Sequence, residues 1–83
     1  GGRPVRSLTI GAFLGESQVA QDLKELQSQH PAVDIGSYPF FREAGYGTNL
    51  VVRGTDPEEL ASIGEALKVL IQSYGAEPHE GGV

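Results

Sequence analysis

Val33-Asp34-Ile35-Gly36-Ser37-Tyr38-Pro39-Phe40-Phe41 is the stretch whose reading decides the fold. It opens with the alternation of a half-buried strand, Val33 and Ile35 on one side and Asp34 on the other. It then meets Gly36 and Pro39 and ends with Tyr38, Phe40 and Phe41 crowded together. Proline removes a ladder donor and glycine packs poorly in a strand, so a plain strand rarely carries both. The segment reads as an irregular strand shaped for docking or for close approach of a ligand. If Val33 and Ile35 face a core, Tyr38 and Phe40 face away from it, and exposed aromatics on a small domain mark an interface.

Outward from this strand the chain alternates cleanly. Val5 to Ala12 places Leu8, Ile10 and Ala12 on one side and Ser7 and Thr9 on the other, with Gly11 signalling a bulge or a close backbone contact. Glu16 and Ser17 open a helix: Ser17 is the expected cap and Glu16 sits well against the positive end of the dipole. Val19, Leu23 and Leu26 follow at helical spacing, and Pro31 ends the helix near Ser28 to His30. After the strand Val33 to Arg42 comes a glycine-containing loop, Glu43 to Gly47, and then the strand Thr48 to Arg53, a hairpin with a long loop. Asp56-Pro57-Glu58-Glu59 supplies a cap, a proline at the first helical position and a capping-box glutamate. Leu60, Ile63, Leu67, Leu70, Ile71 and Tyr74 form one apolar stripe, stopped at Gly75.

The order βαββα predicts an α+β domain of ferredoxin-like type. Its sheet is three-stranded and antiparallel, the first strand lies beside the third, and two helices cover one face. Ala76 to His79 is a candidate short fourth strand at the edge. Residues 1–4 read as a linker, 5–75 as the domain and 76–83 as a flexible tail. The start Gly1-Gly2-Arg3-Pro4 reads as a join within a longer protein.

Composition narrows function by exclusion. The chain has 83 residues, enough for one domain, and no cysteine, so thiolate metal sites and disulfides are out. His30 and His79 are the only imidazoles, too few to predict a metal site. Six basic residues against eleven acidic ones give a net charge of −5. That balance opposes a nucleic-acid partner, whose affinity would rest on lysine and arginine. No apolar run is long enough for a membrane span and no signal segment is visible, so a cytoplasmic protein without a membrane partner is expected.

The candidate site residues are Gly36, Ser37, Tyr38, Pro39 and Phe40, for ligand contact or domain docking, with Glu16 and Ser17 at a helix start that could face an anion. Glu16 would repel an anion, which favours simple capping. Ser37 lacks a supported base and is no nucleophile. Arg42 and Arg53, on neighbouring strands, are a candidate phosphate pair. Phe40 and Phe41 read first as core or interface. No residue is predicted to be catalytic.

Gly15-Glu16-Ser17 at the first helix, a proline at its end, VDIGSYPFF and a glycine-containing hairpin together resemble the competence/damage-inducible protein A (CinA-like) family, over Arg6 to Gly75. The similarity is to the small domain that follows that family's molybdopterin-binding-like domain. The resemblance implies a non-catalytic accessory role beside a nucleotide-processing domain of ADP-ribose pyrophosphatase type, which is then the expected partner in the same chain. It also implies a divalent metal as a candidate cofactor of the parent protein and none within these residues. Other members carry an amidohydrolase domain acting on nicotinamide mononucleotide. The small domain is sometimes labelled KH-like, but no Gly-x-x-Gly turn with basic neighbours joins two helices here, as RNA clamping requires. Homo-oligomerisation is a further expected role of the open face. Two other classes compete with the accessory role: a small-molecule regulatory module of βαββαβ type, and an RNA module using sheet aromatics.

Overall fold

A computed structural model describes residues 2–83; Gly1, the first residue of the expected linker, lies outside them. The elements are β1 (Arg6–Ala12), α1 (Glu16–Gln29), β2 (Asp34–Arg42), β3 (Gly45–Gly54), α2 (Pro57–Ser73) and β4 (His79–Glu80). The four strands form one sheet in the order β2-β3-β1-β4, with every neighbouring pair antiparallel. This is the ferredoxin-like arrangement expected from the pattern, with the short fourth strand present. β2 lies at an edge, where Pro39 deprives the sheet of no interior ladder bond.

Alternation assigns the faces. Leu8, Ile10 and Ala12 of β1 stand opposite Val52, Leu50 and Thr48 of β3, and Ile35 of β2 stands opposite Val52. These residues turn toward the helices. Ile10, Leu50 and Val52 are buried there with Leu60, Ile63, Leu67 and Ile71 of α2 and Val19 of α1. α2 is the heavier partner, because its stripe delivers four large buried side chains where α1 delivers one. Gly64 lets α2 approach β1 closely, since a Cβ there would meet Leu8 Cδ2 at 2.4 Å.

Side chains join the layers at the loops. Thr48, buried, donates from its hydroxyl to the Leu14 carbonyl at 2.9 Å and so fixes the turn into α1. Gln27 anchors the turn out of it: its amide donates to the carbonyls of Val33 (2.7 Å) and His30 (3.2 Å), while its oxygen accepts from Ile35 N–H at 2.9 Å. His30 Nδ1 donates to Glu59 at 2.9 Å, and the Tyr74 hydroxyl donates to Asp22 at 2.7 Å, so α2 is tied near its start to the end of α1 and beyond its last turn to the middle of α1.

Four local expectations are corrected. Ser17 is not the cap: Gly15 holds that position, its N–H donates to Gln18 Oε1 at 2.8 Å, and Ser17 is an exposed residue of the first turn. Glu59 makes no capping box, because its carboxylate is taken by His30; Asp56 alone caps α2, accepting from Glu58 N–H at 3.0 Å. The hairpin loop is short rather than long, since Arg42 pairs with Gly45 and only Glu43 and Ala44 lie between. Gly45, at φ 135°, supplies the positive φ that such a turn needs. β3 thereby gains Gly45 to Gly47, which had read as loop. Finally, the segment read as a flexible tail is laid against the sheet: His79 and Glu80 pair with Gly11 and Ile10, and Gly81 N–H donates to the Thr9 carbonyl at 2.9 Å.

Candidate functional site

The five candidates on β2 divide between the two faces of the sheet. Ser37 and Pro39 turn to the helical side, where the Ser37 hydroxyl donates to Glu16 Oε2 at 2.7 Å. Two sequence candidates twenty-one residues apart are thus in direct contact. The contact is exposed and ties the start of α1 to β2. His30 is occupied by Glu59, and His79 packs edge-on against Phe13 at 5.9 Å, so neither imidazole serves as a base for Ser37.

Gly36, Tyr38 and Phe40 lie on the face away from the helices, as the alternation predicts. Their exposure differs sharply: Tyr38 is 57% exposed and Phe40 only 8%. The expectation of two outward, exposed aromatics therefore holds for Tyr38 and fails for Phe40. Phe40 stands opposite Gly47, whose missing Cβ gives the ring its space, since a Cβ there would meet Phe40 Cζ at 2.4 Å. Phe13 packs edge-to-face on it at 5.5 Å, and the Arg42 guanidinium lies 5.0 Å from the ring centroid. A ring in such a cluster is a structural anchor of the face.

Tyr38 instead folds back along its own strand over Gly36, where a Cβ would meet Tyr38 Cε2 at 3.1 Å. Together they border a shallow groove of about 460 Å³, also lined by Asp34, Val51, Arg53 and Val5. A second hollow of about 200 Å³ shares Val5, Val51 and Arg53 and adds Arg6 and Ser7. The first lies within the range of small-molecule clefts, roughly 300–1,000 Å³. Its floor is apolar, Val51 beside Gly36 across the β2–β3 ladder, and its rim is charged. The charged residues lining the smaller hollow are Arg6 and Arg53, and Asp34, the cross-strand neighbour of Arg53, lines the larger groove beside it.

This lining revises the arginine pairing. Arg53 stands opposite Asp34 at one end of the β2–β3 ladder and Arg42 opposite Gly45 at the other. At about 3.3 Å per residue the two ends are too far apart to share a phosphate. Arg6, not Arg42, shares the lining of a hollow with Arg53. Sequence reading missed it, along with Val51 and Val5, because which residues of β1 and β3 border Gly36 depends on the pairing register.

The family model described as FAD synthase, middle domain, matches residues 4–80. No curated protein and no solved structure matches the chain. With nearly its whole length matched, the chain belongs to the FAD synthase middle-domain family.

Proposed function

From membership of that family we propose that this is a non-catalytic accessory domain that docks against a nucleotide-processing domain of the same protein through the groove between Tyr38 and Arg53. The observation that carries the reading is the combination of an exposed Tyr38, an apolar floor at Gly36 and Val51, and the Arg6–Arg53 rim. That pattern fits a partner surface bearing apolar side chains beside carboxylates or nucleotide phosphates. Ser37 is engaged with Glu16, and no group of three or more histidine, cysteine, aspartate or glutamate residues poised for a metal ion occurs among the described residues. On this reading the chemistry, and any metal it uses, belongs to the neighbouring domain. The CinA-like resemblance supports the same role, because its small domain also accompanies a nucleotide-handling domain. A homo-oligomer using this face, and a cytoplasmic setting, belong to the same reading.

The test is made in the full-length protein carrying Tyr38→Ala with Val51→Asp. The expected outcome is a folded protein whose nucleotide-processing activity or domain assembly falls at least about tenfold, as loss of a central aromatic anchor does at interfaces. Activity and assembly both unchanged would overturn the reading. A small-molecule regulatory module is the second reading, favoured by the volume of the groove; saturable binding of a free metabolite to the isolated chain would select it.

A further inference from the structure

The open face carries a second construction, independent of the groove. After β4 the chain takes two consecutive residues with positive φ, Gly81 at 85° and Gly82 at 91°. Side-chain-bearing residues rarely adopt this conformation, so the pair is a deliberate change of direction. It carries the chain off the sheet edge and across the sheet, over β1 and onto β3. There the Asn49 side chain receives it with both halves of its amide: Oδ1 accepts from Val83 N–H at 2.8 Å and Nδ2 donates to the Val83 carbonyl at 3.2 Å. Only one orientation of the amide satisfies both bonds. Arg42 Nη2 donates to the same carbonyl at 2.9 Å.

Room for this path comes from Gly11. A Cβ there would lie 2.4 Å from Asn49 Oδ1, 2.8 Å from Val83 N and 3.0 Å from Gly82 Cα. No bulge accompanies Gly11, because the β1–β3 register is unbroken from Arg6 to Ala12. A mid-strand glycine weakens a sheet, and here the crossing segment is what it accommodates. A Cβ at Gly82 would likewise crowd Asn49 Oδ1 and Thr9 Cγ2, both at 3.0 Å.

We propose that Gly11, Asn49 and Arg42 form a main-chain clamp whose occupant is this chain's own Gly81–Val83 segment. The clamp reads backbone rather than side chain at Val83. It covers the face at Gly11 and Asn49, up to the cross-strand neighbour Tyr38, and leaves the groove at Gly36, Val51 and Arg53 open. The clamp does not depend on the docking role of the groove.

Amide exchange and heteronuclear relaxation of the labelled 83-residue chain test it. In the native chain the Val83 amide is expected to be protected and as rigid as β1. Asn49→Ala, which removes two of the three bonds to Val83, lowers that protection about tenfold, while the amides of β1 and β3 keep theirs. Gly11→Ala displaces the segment in the same way, and Tyr38→Ala leaves it in place. A Val83 amide that exchanges freely in the native chain, or equally in Asn49→Ala, overturns the clamp. Protection that rises with protein concentration overturns its assignment to the chain's own segment.

Discussion

Gln27 does more than any other polar side chain to set the site's position, and nothing in the sequence advertises it. It sits in the last turn of α1, and its amide satisfies three backbone groups across the α1–β2 turn. Gln27→Ala takes this partner from the Val33 carbonyl and the Ile35 N–H, while the His30 carbonyl keeps Val33 N–H, so a loss of about 1–3 kcal/mol is expected in urea unfolding. Gly47→Ala is expected to be worse, because its Cβ would meet the Ala12 carbonyl oxygen at 2.3 Å as well as Phe40. Backbone cannot swing aside as a side chain can. Tyr38→Ala, by contrast, removes a largely exposed ring and should change stability by no more than about 0.5–1 kcal/mol. The same pair of residues shows what alternation can tell. The period of the strand gives the face of Tyr38 and of Phe40 correctly. It is silent on burial, because the cover over Phe40 comes from Phe13, distant in sequence.

At the scale of elements, α2 was the most legible, since its start, stripe and stop are all local. Even there Glu59 departs from the expected capping box, drawn off by His30 just past the end of α1. Asp56→Ala should therefore cost about 1 kcal/mol in thermal or urea unfolding, the cap having no reciprocal partner. β4 was visible only as a faint edge strand, because two residues carry no period. Its hold on the fold includes ion pairing: Lys68 on α2 bonds Glu80 on β4 and also Glu65. The bonds to Glu80 and Glu65 raise the Lys68 pKa above its ordinary 10.5. Tyr74, hydrogen-bonded to Asp22, is likewise raised above 10.0. In both cases the folded state favours the protonated form. Their contributions are complete below pH 10 and are lost as pH rises through the raised values. An alkaline titration followed by amide or carbon chemical shifts is expected to loosen β4 and the α1–α2 clasp while core signals stay native. Simultaneous loss of core and edge would contradict this.

Across the whole molecule the helical face and the open face have different jobs. The core lies under α2, so Leu67→Ala should destabilise by about 2–5 kcal/mol wherever the site is. The open face is divided between the crossing segment and the groove. This division was not legible in the sequence, because it depends on which residues of β1 and β3 lie beside Gly36 and on where Gly81 and Gly82 send the chain. What the sequence did carry was the order of elements and the oddity of the second strand, both of them local. We propose that the Tyr38–Arg53 groove docks a nucleotide-processing neighbour. The most direct test is an amide-shift titration of the labelled chain with the neighbouring domain, with and without ADP-ribose. Shifts clustered at Asp34 to Tyr38, Val51 and Arg53, with the α2 amides unmoved, are the predicted result. Shifts confined to the helical face, or none at all, would contradict it.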